Sequence, residues 1–282
     1  MTETLLYINN TLKGLYPPGE VGSFIRLIME HVCGISPQQL LLGKDRQISD
    51  TEKARIQDIV TRLSASEPIQ YILGETEFYG LTLRVTPAVL IPRPETEELV
   101  EKILQDHPGQ ALKILDIGTG SGCIAIALQK QLKDSEVVAL DISSDALQVA
   151  RLNAERQGAA ITFIQTDILA SECADADVPF LFDLIVSNPP YVKESEKRTM
   201  EKNVLLHEPH TALFVADDDP LLFYRHIARF GKKKLKPNGW LYFEINAQCG
   251  ALTTEMLRKE GYREVERIRD LSGNDRIIKA RR

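Results

Sequence analysis

The residues best suited to chemistry stand at Ser187-Asn188-Pro189-Pro190-Tyr191. Two adjacent prolines donate no backbone N–H, fix φ and hold the residue before them extended. The outcome is a stiff corner with one amide side chain, two bare carbonyls and one aromatic ring. Such a corner is able to accept two hydrogen bonds from a planar –NH2 group and to stack on the plane that bears it. Taken alone, the stretch reads first as a structural Pro-Pro turn. A second cluster tips the balance: Gly118-Thr119-Gly120-Ser121-Gly122, with Asp141 downstream. Glycines there let the backbone pass close to a ligand, and the start of the next helix favours electron-rich groups. Dehydrogenases share a glycine-rich turn with a later acid, but their fingerprint is G-x-G-x-x-G, and position 123 is Cys. The run G-x-G-x-G suits an amino-acid tail and a ribose, with no diphosphate to cradle. Asp141 stands at the spacing expected for gripping ribose hydroxyls. S-adenosylmethionine has those parts, and the two clusters together describe a methyl donor beside an amino-bearing acceptor.

Both clusters need strands to place them. Phe182–Val186 has buried-strand character and runs out into the Asn-Pro-Pro-Tyr corner, where open α/β sheets bind ligands. Ile114–Ile117 precedes the glycine turn, a helix from Cys123 to Leu132 follows it, and Val137–Leu140 leads to Asp141. A helix capped by Ser143 or Ser144, a strand Ile161–Asp167 and a strand Gly239–Ile245 continue the alternation. A helix near Cys249–Glu260 and strands Arg263–Arg269 and Asp275–Ala280 complete it. This predicts an α/β fold: a doubly wound, seven-stranded Rossmann-like methyltransferase sheet with a small N-terminal helical domain. Residues 1–73 read as a helical bundle whose own residues show no docking role, with recognition of a substrate protein expected only from the resemblance described below, 74–95 as a hairpin and linker joining the domains, and 96–282 as the methyltransferase domain. In the bundle, Pro17-Pro18 opens a helix with Val21, Phe24, Ile25, Ile28 and Val32 on one face, closed by Gly34. Ser36-Pro37 and Ser49-Asp50-Thr51-Glu52 are start signals for two more. Arg93 and Glu95, in the stiff Pro92-Arg93-Pro94 segment, either face a ligand or form a surface charge pair.

Composition narrows the rest. The chain has 282 residues, 43% hydrophobic and 26% charged, with a formal net charge of −6. That acidic balance argues against nucleic-acid binding by bulk electrostatics. Cys33, Cys123, Cys173 and Cys249 are scattered, which fits a reduced compartment and neither a disulfide framework nor a zinc site. With no signal-peptide core and no span-length apolar segment, the expectation is a cytoplasmic, soluble, monomeric protein with no membrane partner and no metal.

Longer motifs run through the chain: Glu67-Pro68-Ile69-Gln70-Tyr71-Ile72-Leu73-Gly74, Phe78-Tyr79-Gly80, Ile91-Pro92-Arg93-Pro94-Glu95-Thr96-Glu97, Leu115–Gly122, Asn188–Tyr191 and Leu271-Ser272-Gly273-Asn274-Asp275-Arg276. With these, the sequence resembles the HemK/PrmC family nearly end to end. That family methylates the side-chain amide of the glutamine in the Gly-Gly-Gln motif of class 1 peptide chain release factors. The resemblance implies S-adenosyl-L-methionine as cofactor, S-adenosyl-L-homocysteine as product, and no direct need for nucleic acid. It implies Gly118, Thr119, Gly120, Ser121, Gly122 and Asp141 on the cofactor, Asn188 on both cofactor and acceptor, and Pro189, Pro190 and Tyr191 framing the glutamine. The resemblance makes Asn188, Pro189 and Tyr191 the expected catalytic set. Some relatives carry an aromatic residue against the adenine where this chain has Ile168, so weaker stacking is expected there.

Asn-Pro-Pro-Tyr is shared with adenine-N6 methyltransferases of DNA or RNA, which present another planar –NH2 group; the acidic balance weighs against that reading. A silent cofactor-binding module docking on a ribosomal partner is the third reading, opposed by intact Asn188 and Tyr191. Lys232–Lys236 reads as the solvated, dipole-complementing end of a helix. Asp217–Pro220 reads as a turn with too few spaced oxygens for calcium. His207 and His210 are candidates for the acceptor entrance, without a catalytic role.

Overall fold

Local signals set the helices of the first of two compact units, Met1–Gly74 with Glu201–His207. The computed structural model describes residues 1–42, 46–170, 178 and 180–282, so Cys173 lies outside the described residues. Helix α1 spans Thr2–Leu12 and α2 spans Pro18–Cys33, with proline in its first turn. Gly34 closes α2 with φ 62°, a left-handed conformation that lets its N–H reach the Met29 and Glu30 carbonyls. Helices α3 (Pro37–Leu41) and α4 (Asp50–Ser64) each begin with a reciprocal capping box, Ser36 with Gln39 and Ser49 with Glu52. A short α5, Ile69–Leu73, follows. Ile8, Leu12, Val21, Phe24, Ile28, Ile56, Val60 and Leu63 share one core. Ile25, expected on the buried face of α2, sits at its edge and is only partly buried.

The second unit comprises Glu75–Met200 and Glu208–Arg282. It opens with a hairpin, β1 (Glu75–Phe78) and β2 (Leu81–Arg84), whose Phe78 and Leu83 are buried beside Leu99 and Ile103 of α6 (Pro94–Asp106). The alternation then proceeds through β3 (Lys113–Ile117), α7 (Cys123–Gln131), β4 (Glu136–Asp141), α8 (Ser144–Gln157), β5 (Ile161–Gln165) and β6 (Phe182–Ser187). Short strands β7 (Val192–Lys193) and β8 (Phe214–Val215) pair with each other. After α9 (Leu222–Lys234) come β9 (Leu235–Glu244), α10 (Gly250–Lys259), β10 (Arg263–Arg269) and β11 (Asp275–Arg281).

The seven-stranded sheet has the order β10-β11-β9-β6-β3-β4-β5. Strands β5, β4, β3, β6 and β9 are parallel, and β11 and β10 add antiparallel pairs at one edge. Period-2 alternation splits each central strand between two cores. Ile114, Val137, Ala139, Leu184 and Val186 face α6 and α7, while Leu115, Val138, Leu140 and Ile185 face α9 and α10. The chain winds outward from β3 through β4 to β5, then returns to build the other half from β6. The switch point therefore lies between β3 and β6, and the crevice beyond their carboxyl ends is where such sheets bind ligands. No helix among the described residues is long and apolar enough to cross a membrane.

Candidate functional site

The glycine turn sits directly after β3 and is pinned to β4: the Gly118 and Thr119 amides both donate to the Leu140 carbonyl at 2.9 Å. Gly122 needs to be glycine, because its φ is +83° and an added Cβ would stand 3.1 Å from Ile126 Cδ1 and 3.2 Å from Ala150 Cβ. Asp141, at the end of β4, does more than wait for a ligand. Its Oδ2 accepts from the Gly120 amide and its Oδ1 from the Ser143 amide, both at 2.9 Å. Each oxygen keeps a further lone pair. Burial pushes this carboxyl up from its usual range, and the backbone donors hold it back.

A cavity of about 570 Å³ opens over these residues. Gly118, Thr119, Gly120, Ser121, Asp141 and Ile168 line one part, and Asn188, Pro189 and Pro190 line another. Gly122 and Tyr191 are off its wall. Gly122 is buried at the start of α7, and Tyr191 packs on the core beneath. Phe214 and Phe223 add two aromatic rings to the lining that no motif pointed to. Ser121 Oγ and Thr166 Oγ1, on residues of the cavity wall, are buried with no hydrogen-bond partner among the described residues. Size, apolar walls, a carboxylate with spare acceptor sites and orphaned hydroxyls fit a nucleoside-like ligand such as S-adenosylmethionine.

The Asn-Pro-Pro-Tyr corner follows β6, where Ser187 Oγ donates to the Ile117 carbonyl at 2.6 Å and locks the two central strands together. Behind the corner lies a polar network that sequence reasoning missed. Asn188 Nδ2 donates to Thr96 Oγ1 at 3.3 Å, and Thr96 Oγ1 donates to Glu244 Oε2 at 2.6 Å. The Tyr191 hydroxyl donates to Glu244 Oε1 at 3.0 Å. Thr96 and Glu244 are 2% and 1% exposed, so this carboxylate is satisfied from within. Burial raises its pKa, and the bonds from Thr96 and Tyr191 and the nearby Arg276 charge oppose that rise. Burial, then the Glu244 charge, drives the Tyr191 hydroxyl upward as well. Asp116 was also missed: buried inside β3, it accepts from Thr119 Oγ1 at 2.6 Å, and burial pushes it up to about 7. The available signal was an acid inside an otherwise apolar strand.

Arg93 follows neither expectation. Arg93 pairs with the buried Glu208 at 2.5 Å, Glu208 also accepts from the Ile91 amide, and neither Arg93 nor Glu95 is on the cavity wall. His210 stacks edge-on against Phe214, with ring centroids 5.1 Å apart. His207 belongs to the short helix Lys202–His207 of the first unit. The lysine run does end α9, with Lys233 exposed there and its neighbours making contacts of their own. Lys232, Lys234 and Lys236 reach the Gly261 carbonyl, the Val178 carbonyl and Asp183. Asp217 caps Ser195 and Asp219 pairs with Arg225, so the acidic turn is built into the loop. Cys33, Cys123 and Cys249 are buried free thiols.

The chain matches the family model "Methyltransferase small domain" over residues 94–216. It also shares its fold with the crystal structure of a methyltransferase from Pyrococcus furiosus, at a TM-score of 0.54 and 19% identity, covering 83% of this chain and 98% of that one. Sheet order, glycine turn and cavity thus define a methyltransferase of the S-adenosylmethionine-dependent class. Residues 4–74 match the "PrmC N-terminal domain". A release factor glutamine methyltransferase from Bacteroides thetaiotaomicron is 48% identical over 282 residues, 100% of both chains. One from Flavobacterium psychrophilum is 45% identical over 272 residues, 95% of this chain and 94% of that one. The chain belongs to the family of release factor glutamine methyltransferases.

Proposed function

We propose that this protein transfers a methyl group from S-adenosylmethionine to the side-chain amide nitrogen, N5, of the glutamine in the Gly-Gly-Gln motif of class 1 peptide chain release factors. It works as a cytoplasmic monomer, needs no nucleic acid, and uses residues 1–73 to recognise the release factor. The observation that carries this reading is the state of Asn188. Its Nδ2 is committed to Thr96, so Oδ1 is left as an acceptor on a residue of the cavity wall.

A carboxamide nitrogen is a poor nucleophile because its lone pair is delocalised into the carbonyl. Asn188 Oδ1 and the Pro189 carbonyl accept its two N–H bonds, and Tyr191 completes the frame of the corner. That arrangement fixes the nitrogen in one orientation and stabilises positive charge as it develops there. The bound cofactor supplies an electrophilic sulfonium methyl. Gly118–Ser121 and Asp141 would hold it, with Asp141 offering its spare lone pairs to the ribose hydroxyls and Ile168 packing the adenine, while Gly122 shapes the turn from behind. The apolar lining from Phe214, Phe223 and Ile227 excludes water, which favours a step that cancels charge. No strong general base is required, since proton loss from the methylated amide follows transfer.

The test offers labelled methyl donor to the enzyme with intact release factor, with its Gln-to-Ala variant, and with DNA and RNA. Label in the intact release factor alone is expected. Label in nucleic acid, with none in the release factor, would replace this reading with adenine-N6 methylation.

A further inference from the structure

Three segments far apart in sequence converge on one buried carboxylate. Thr96 comes from the first turn of α6, Tyr191 from the corner after β6, and Glu244 from the last residue of β9. The hydroxyls of Thr96 and Tyr191 each carry one proton, and an ionised carboxylate can only accept. Both protons therefore go to Glu244. Having given its proton away, Thr96 Oγ1 presents only lone pairs to Asn188, so it is the Nδ2 group of Asn188 that must turn towards it. The opposite amide rotamer would set Oδ1 against Oγ1, two acceptors with no proton between them.

Arg276 supports the ionised form. It pairs with Asp270 at 3.1 Å, and its positive charge acts on both Glu244 and Tyr191. The Leu271–Arg276 stretch and the Pro-Arg-Pro-Glu-Thr-Glu stretch, neither of which lent the proposed chemistry a residue, thus meet at one point behind the corner.

We infer that Thr96 and Glu244 are positioning residues that set the direction of the Asn188 side-chain amide, so that Oδ1 and never Nδ2 faces the acceptor –NH2 group. The inference rests on the glutamine-amide reading above and deepens it. A flipped Asn188 would point a donor at a donor, and the preorganised acceptor would be lost. The relay also makes the corner selective for groups that donate a hydrogen bond, since a carbonyl in the same place finds no donor on Asn188.

The test is a double-mutant cycle read in single-turnover methyl transfer to intact release factor at saturating cofactor, with cofactor affinity measured by calorimetry on each variant. Thr96→Val keeps shape and removes the hydrogen-bond relay. It is expected to slow transfer by about tenfold to a hundredfold, the scale of one lost oriented partner, with cofactor affinity unchanged. Thr96→Ser restores the hydroxyl and is expected within about threefold of wild type, which a purely steric role for the methyl group would not allow. In an Asn188→Ala background, Thr96→Val is expected to add nothing. Wild-type transfer by Thr96→Val, no rescue by Ser, or a full extra loss in the Asn188→Ala background would overturn the relay while leaving the glutamine-amide reading in place. Wild-type transfer by Asn188→Ala alone would remove Asn188 as the acceptor's partner, and the relay with it, whereas failure of the wild-type enzyme to label the glutamine would overturn the glutamine-amide reading itself.

Discussion

Asn188 and Asp141 both line one cavity, and the proposed mechanism gives them different work. Asn188 offers a neutral acceptor whose direction is set from behind, so a change of charge there is not conservative. Asn188→Asp retains an acceptor oxygen but has no N–H for Thr96, and it adds a second carboxylate to the network that ends on Glu244. Its transfer rate is expected to stay within about tenfold of Asn188→Ala, whose loss is of order 10²–10³. Tyr191→Phe keeps the ring but strips one donor from buried Glu244, so it falls between wild type and Tyr191→Ala in the same single-turnover assay. Asp141 both pins the glycine turn and faces the cavity. Asp141→Ala should weaken cofactor binding by about 1–3 kcal/mol for the charge-assisted bonds to ribose. The lost anchors to Gly120 and Ser143 add to that. Calorimetry showing unchanged affinity in a folded variant would remove Asp141 from the cofactor site.

At the scale of elements, the turn between β3 and α7 is sensitive to a single methyl group. Gly122→Ala meets both a left-handed backbone and the Ile126 and Ala150 side chains. The backbone alone costs about 1–2 kcal/mol, and urea denaturation should show at least that loss; an unchanged midpoint would contradict the packing described. Such local features are the legible ones. The capping boxes at Ser36 and Ser49, the left-handed stop at Gly34 and the strand–glycine–helix unit after Ile114 all announce themselves within a few residues. Helix α1 went unread because only Ile8 and Leu12 are buried and no side chain caps its start. Thr96 and Glu244 are 148 residues apart, and Arg93 and Glu208 are 115 apart. Neither pair has a local pattern, since only the winding of the sheet brings each together. The antiparallel pairing of β10 and β11 at the sheet edge was likewise invisible to periodicity, which locates strands and is silent on direction.

For the whole molecule, the two units divide the proposed task. Every residue of the cavity wall falls in the second unit, and the hairpin's Phe78 and Leu83 belong to that unit's core. A chain beginning at Glu75 is therefore expected to fold and bind S-adenosylmethionine, as followed by calorimetry. It is expected to methylate intact release factor poorly, because recognition of a protein takes more surface than one pocket provides. Full activity of the shortened chain would remove the helical unit from recognition. The central claim concerns one nitrogen atom. Its most direct measurement is tandem mass spectrometry of release factor after reaction with this enzyme and S-adenosylmethionine. A single methyl group on the side-chain amide of the Gly-Gly-Gln glutamine is expected, and none with Asn188→Ala at matched time. A methyl group on any other residue, with that glutamine unmodified, would contradict it.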